Sequence, residues 1–306
     1  MVDSAKPDLQ LEPTARAENP PPDYSRLRTV ITLVAIIAVI VVFWEGMKSF
    51  SRANDYELMI GGMVIDLSNF NNTQLPHLGD IFGAFFEPAQ RNGPPLYQTL
   101  LSAALFTLGE AMLGFFIGAV LGFLLAVIFT HSRLLQNGLL PYVVASQMVP
   151  ILAIAPMVVV WMRQIELSAL AVPIIAAYLT FFPVTIYALR GFTSVPPTEL
   201  ELMQSYAANH LQIFFKLRLP NALPQIFTAL KISATASVVG AIIGELPSGI
   251  QDGLGGAILN FNQYYTQGPP RLWATIVAAA TVGILFFGVV ALTERLVVRW
   301  QVKESN

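Results

Sequence analysis

Glu201-Leu202-Met203-Gln204-Ser205-Tyr206-Ala207-Ala208-Asn209-His210-Leu211-Gln212-Ile213-Phe214-Phe215-Lys216-Leu217-Arg218-Leu219-Pro220 sits between two long apolar runs. Bare backbone and polar groups are not tolerated in hydrocarbon, so the chain leaves a membrane before this stretch and re-enters after it. Thr198 and Glu201 have the Thr-x-x-Glu spacing of a capping box, and Pro196-Pro197 stop the preceding helix. Leu200, Met203 and Ala207 share one helical face, and Leu211, Phe214 and Phe215 form a second apolar set beyond Ala208-Asn209. Asn tolerates a left-handed turn. The pattern therefore predicts a helix, a bend at 207–209 that Asn209 can carry, and a second helix running back to Pro220 and Pro224.

Composition sets the class. The 306 residues are 55% hydrophobic and only 12% charged, with mean hydropathy +0.61. That is too little charge to coat a soluble domain of this size, so the expected fold is an all-α polytopic membrane protein. A formal net charge of -2 leaves no basic footprint for nucleic acid. Without cysteine there is no disulfide framework, thiolate metal site or thiol nucleophile. His77, His131 and His210 lack metal-ligand spacing, no Ser/His/Asp arrangement is legible, and no Gly-x-x-x-x-Gly-Lys-Ser/Thr loop is present. No catalytic residue and no metal site are expected, and the chain does not read as an enzyme.

Working outward, residues 1–28 are polar and Pro-rich and read as a disordered cytoplasmic tail. Residues 29–47 form a first apolar run of about the length that a ~30 Å hydrocarbon core requires. No cleavage signal precedes Lys48, so this run reads as a retained membrane helix rather than a signal peptide. Residues 48–95 are a polar extracytoplasmic segment, in which Leu78, Ile81, Phe82 and Phe85 recur at helical spacing. That short helix fits either the membrane surface or ordinary packing against outer loops.

Residues 96–292 form the core, with five further crossings. The first has an amphipathic lead-in to Leu108 and then a helix to Phe129; the others cover about 139–162, 167–189, 223–246 and 272–292. Pro141, Pro150, Pro156, Pro173 and Pro183 interrupt the third and fourth helices of the chain, which suits helices facing protein and a path rather than lipid. A cytoplasmic loop at 191–222 joins the fourth and fifth helices, and residues 293–306 form a cytoplasmic tail. Arg26, Arg28, Arg133, Arg190, Lys216, Arg218, Arg295, Arg299 and Lys303 fall on one side, against Lys48, Arg52, Arg91, Arg163 and Arg271 on the other. The excess marks the cytoplasmic face, with both termini on it.

Polar residues within the spans are candidates for function. Gln147, Ser146 and Tyr178 on the proline-broken helices can line a path, or can bond helix to helix. Lys231 is expected to snorkel to the cytoplasmic face. Glu110 and Glu245 fall near outer helix ends, where carboxylates can reach water, and Gly244-Glu245 is the better candidate for a gate.

The opening stretch resembles the EAA loop of importer-type permease subunits of ABC transporters, whose pattern is Glu-Ala-Ala, three residues, Gly, nine residues, Ile-x-Leu-Pro. Glu201, Ala207, Leu217 and Leu219-Pro220 take the Glu, Gly, Ile and Leu-Pro positions, while Leu202 and Met203 replace the two alanines. Leu75 to Leu292 further resembles the nitrate, sulfonate, taurine and thiamine-precursor branch. The matching stretches are Val149-Pro150 to Pro156, Leu219 to Pro224, and Gly240-x-x-x-Gly244-Glu245 to Gly253-Leu254-Gly255.

The resemblance implies a permease in the bacterial inner membrane. Glu201, Leu202, Met203, Ala207, Ala208, Asn209, Leu217, Leu219 and Pro220 would couple it to cytoplasmic ATPase subunits. Gln147, Pro150, Pro156, Tyr178, Gly244 and Glu245 would belong to the path or its gate. It further implies a second permease, identical or related, an extracytoplasmic solute-binding protein and surrounding lipid. ATP and Mg would be held by the ATPases, with no cofactor in this chain. The rival readings are an ion-driven secondary transporter, which calls for inverted repeats and a mid-membrane acid, and a membrane scaffold.

Overall fold

The structure, a computed structural model, describes residues 25–60, 63–89 and 93–298. The Pro-rich tail up to residue 24, Arg91, Arg299 and Lys303 lie outside these described residues. Residues 1–71 and 72–306 form two compact units.

In the first unit, α1 spans Ser25–Ala53. It takes in Ser25–Arg28, which composition assigns to the tail; the nearest helix breaker is Pro22, so nothing stops the helix at residue 29. Within Leu27–Ala53 an 18-residue window reaches a mean hydropathy of 2.6, and the stretch is long and apolar enough to cross a membrane. An antiparallel pair follows, β1 (Glu57–Ile60) and β2 (Met63–Asp66), with Ile60 opposite Met63. The Ser51 hydroxyl donates to the Leu67 carbonyl at 2.9 Å and ties the end of α1 to the residue after the hairpin.

The second unit is helical among its described residues. α2 (Leu78–Ala84) buries Ile81 and Ala84 and leaves Phe82 exposed. It packs on α11 (Pro269–Val297), so its apolar spacing serves internal packing. α3 runs unbroken over Leu96–His131. The expected separation of a lead-in from a crossing at Leu108 does not occur, because neither Pro nor a turn signal interrupts Leu96 to Leu108. At 1.5 Å per residue, α3 is ~54 Å long and projects beyond a ~30 Å core.

α3 packs along α6 (Ala171–Thr193) through three glycines one helical turn apart. A Cβ on Gly114 would meet Pro173 O and Ala176 Cβ at 2.5 Å, one on Gly118 would meet Ala177 O at 2.6 Å, and one on Gly122 would meet Phe181 O at 2.5 Å. Small residues let backbones approach to this degree. α9 (Leu219–Ser248) packs on both α6 and α3, and Gly240 would place a Cβ 2.8 Å from Ala176 Cα. Phe115 of α3 stacks edge-on to Phe286 of α11 at 5.1 Å.

The glycine contacts ascend together, 114 to 173–177, 118 to 177–180 and 122 to 181–185, so α3 and α6 run parallel. The chain between them must return across the membrane. It does so through α4 (Arg133–Ser146) and α5 (Ile151–Gln164), which are bent by 97° at a short break. Each arm is ~21 Å long and too short to cross alone. Leu140 and Val143 of α4 pack on the cluster at the α3 and α6 C-terminal ends, which holds Phe129 and Phe192. Ala155 and Val159 of α5 pack on Ala171 and Ile175 at the opposite end of α6. The pair is therefore one broken crossing, where sequence predicts a single kinked helix over 139–162. With α1, α3, α6, α9 and α11, it brings the candidate crossings to six.

Between α6 and α9 stand α7 (Pro197–Ser205), α8 (His210–Ile213) and a π-turn (Phe214–Arg218) that leads directly into α9. Pro220 does not stop the chain: it falls in the first turn of α9, where its missing N–H is harmless, and the π-turn absorbs the change of register. After α9, Gly249 (φ 76°) closes the helix, and α10 (Leu254–Gln263) forms in the stretch between the expected crossings at 223–246 and 272–292.

Candidate functional site

The α7–α8 knob is built from two caps. α7 begins at Pro197 with Pro196 in the cap position and no side-chain cap. The expected Thr198–Glu201 capping box is absent, since Thr198 is already inside the first turn, and the Glu201 side chain stands exposed. At the other end, the Ala208 N–H donates to Met203 O at 3.0 Å and the Ala207 N–H to Gln204 O at 2.8 Å. This crossed pair is a Schellman motif, which requires a left-handed residue after the helix; Ala207 supplies it at φ 53°. The bend thus belongs to Ala207.

Asn209, on which the sequence reading centres that bend, is extended (φ -77°, ψ 168°) and does different work. Its Oδ1 accepts from the Gln212 N–H at 2.8 Å, and its own N–H donates to Gln212 Oε1 at 2.9 Å. The capping box of this stretch is therefore Asn209–Gln212, and its Asn-x-x-Gln spacing is present in the sequence.

The coupling candidates divide into two sets. Glu201, Leu202, Ala207 and Asn209 are exposed, whereas Met203, Ala208, Leu217, Leu219 and Pro220 are half-buried at the root. Leu202, Tyr206, Leu211 and Phe215 are 57%, 78%, 67% and 61% exposed, an apolar surface flanked by Glu201. Behind it, Ile213 and Phe214 are buried, and Phe214 stacks on Phe192 of α6 at 5.3 Å and on His131 of α3 at 5.7 Å. A small rigid element is thereby rooted in the membrane helices while its outer face is unfilled.

At the opposite end, Glu245 is fully buried, contrary to the expectation that its carboxylate reaches water. Oε1 accepts from the Thr107 hydroxyl of α3 at 2.7 Å, and Oε2 accepts from the Gly255 N–H of α10 at 2.5 Å. The Thr107 oxygen in turn accepts from the Leu254 N–H at 2.8 Å. This latch joins α3, α9 and the start of α10. Gly253 and Gly255 are needed beside it, since a Cβ on either would stand 2.3 Å or 2.7 Å from Glu245 atoms. Glu110 lies beside Glu245, and its Oε2 is buried without a partner among the described residues. Thr107 was not singled out by sequence; nothing marks one threonine in an apolar helix.

The path candidates fall in two places. Tyr178 donates its hydroxyl to Ser146 O at the α4–α5 break, where Gln147 Nε2 is buried without a partner among the described residues. Pro150 caps α5 and Pro156 lies within it. Gly244 packs on Val172 and Ile175 of α6, and Glu245 belongs to the latch. The Lys231 Nζ pairs with Glu294 Oε2 of α11 at 2.7 Å, three residues before the end of that helix. No group of three or more metal-ligating side chains occurs among the described residues.

A broken crossing, glycine-packed parallel helices and a rooted knob define a polytopic helical membrane protein of the transporter kind. The family described as binding-protein-dependent transport system inner membrane component matches residues 97–299, and the chain belongs to it. The chain is 31% identical over 198 residues to a formylaminopyrimidine transport permease protein of Halalkalibacterium halodurans, covering 65% of this chain and 77% of that one. It is 29% identical over 209 residues to a putative aliphatic sulfonates transport permease protein of Bacillus subtilis, covering 67% and 74%. A riboflavin transport system permease protein of Chloroflexus aurantiacus is 29% identical over 171 residues, covering 56% and 62%. Among solved structures, the crystal structure of an amino acid ABC transporter with histidines shares the fold. Its TM-score is 0.52 at 18% identity, over 67% of this chain and 95% of that chain. The chain is thus a membrane-spanning transport permease of the importer class.

Proposed function

We propose that this chain forms one half of the translocation path of an ATP-driven importer, and that cytoplasmic ATPase subunits dock on the α7–α8 knob. The observation that carries this is the knob itself: an exposed apolar face with Glu201 at its edge, held by Phe214 and Ile213 so that a push on it moves α6 and α9. A second permease, identical or related, closes the path, and a solute-binding protein delivers cargo at the latch end. The termini lie in the cytoplasm of a cell whose inner membrane holds the complex. ATP and Mg are bound by the ATPases, and this chain itself performs no chemistry.

The cargo is a small solute. The relatives named for formylaminopyrimidine, riboflavin and aliphatic sulfonates favour a compact organic molecule with hydrogen-bonding groups. The ion-driven rival calls for an acid near mid-membrane; Glu245 is buried but sits one turn from the end of α9, with its carboxylate committed to Thr107 and Gly255. Leu202→Asp places a charge in the centre of the docking face. It is expected to abolish ATP-dependent uptake in vesicles while insertion and yield stay normal; unimpaired uptake would sink the proposal.

A further inference from the structure

We infer that the pocket behind the knob receives a carboxylate side chain of the docked ATPase subunit, with Arg218 as its main ligand. The inference rests on the proposed docking of an ATPase at α7–α8 and names the chemistry of the contact.

The pocket has a volume of about 250 Å³ and is lined by residues that include His131, Gln204, Asn209, His210, Phe214 and Arg218. Every ionisable group in the lining is basic: His131 from the end of α3, His210 from α8 and Arg218 from the π-turn. No carboxylate lines it. The His131 ring is fixed, because its Nδ1 must donate to the Val127 carbonyl at 2.8 Å and Phe214 packs against it, so Nε2 is the nitrogen left for another partner. Asn209 is occupied by its capping box with Gln212. The Arg218 Nε is buried, and among the described residues no acceptor reaches it.

A guanidinium with a desolvated and unpaired N–H is the costly half of a contact, and an ionised carboxylate presents two oxygens that match its fork. The size limits the occupant. The space holds one acidic side chain and a few waters, too little for a nucleotide. Its position limits the occupant further, since the pocket shares Leu200 and Gln204 with α7, whose other side carries the exposed Leu202 and Tyr206. A subunit whose groove takes in α7 meets both the apolar side and, around the helix, this basic recess.

The test uses the complete transporter, with this chain co-expressed with its ATPase and the affinity between them measured across salt concentrations. Arg218→Gln keeps the bulk and loses the charge. It is expected to weaken ATPase binding about tenfold at ~50 mM salt, with the gap closing to about twofold at ~0.5 M as screening removes the wild-type advantage. Arg218→Lys keeps the charge without the fork and is expected to fall between them. A loss caused by misfolding would be equally large at every salt concentration, and that outcome overturns the assignment, as does unchanged affinity. Leu202→Asp separates the two levels. If it abolishes ATPase binding while Arg218→Gln is silent, the docking reading stands and the pocket assignment falls. If neither variant alters binding, the docking reading itself falls.

Discussion

Replacing Ala207 by Gly perturbs the knob at one backbone angle. Ala207 holds φ 53°, where a Cβ crowds the following carbonyl, at a cost of about 1–2 kcal/mol that Gly avoids. Gly in turn loses about 0.5–1 kcal/mol more backbone entropy on ordering. The balance favours Gly by roughly 0.5–1 kcal/mol, which is about two- to fivefold in the local opening equilibrium. The N–H groups of Ala207 and Ala208 report it directly, since both are donors in the Schellman pair. Hydrogen exchange followed on the purified protein is expected to slow at 207 and 208 by that factor in Ala207→Gly. Ala207→Val, β-branched at the same angle, is expected to exchange faster than wild type. Slower exchange in the Val variant, or faster exchange in the Gly variant, refutes the argument that Ala207 carries the bend under strain.

The latch and the ion pair give two further expectations. Glu245→Ala strands the Thr107 hydroxyl and the Gly255 N–H, each worth about 1–3 kcal/mol when buried without a partner; detergent melts should show it well below Glu245→Gln, which keeps an acceptor oxygen. Lys231→Met leaves Glu294 alone beside apolar helix. It is expected to lower the melting temperature more than the Lys231→Met/Glu294→Gln double variant, by about 1–2 kcal/mol, less than a fully buried pair because both side chains are about a fifth exposed. Equal melting temperatures for single and double variants would show that the pair contributes nothing.

Much of the architecture was legible because a hydrocarbon slab imposes length and polarity together. The runs near 167–189 and 272–292 are such cases, observed as α6, shifted by four residues toward the C-terminus, and as α11, extended at both ends. What escaped reading depended on partners far along the chain. The break between α4 and α5 reads as one kinked helix, because Pro141, Pro150 and Pro156 announce a disturbance without its angle. Gly114, Gly118 and Gly122 form a four-residue repeat in the sequence, but only the facing carbonyls of α6 show why a Cβ is excluded. The two-residue Gly61-Gly62 between apolar flanks was a hairpin signal. At the knob, spacing located the element, while the choice between Ala207 and Asn209 as the bend required the crossed hydrogen bonds. Thr107 and Glu294 could not be paired with Glu245 and Lys231 from sequence, since the partners stand 138 and 63 positions away.

The parallel α3–α6 seam carries a mechanical consequence. Where backbone meets backbone with no side chain between, there is no soft layer to deform, and sliding by a fraction of a turn would drive Pro173, Ala177 or Phe181 carbonyls into the facing helix. Such a pair has discrete seatings and no continuous travel. Under the proposed docking, force arriving at the knob would move α3 and α6 as one beam, and the travel would be taken up elsewhere, at the 97° elbow of α4–α5 or in the α10 segment.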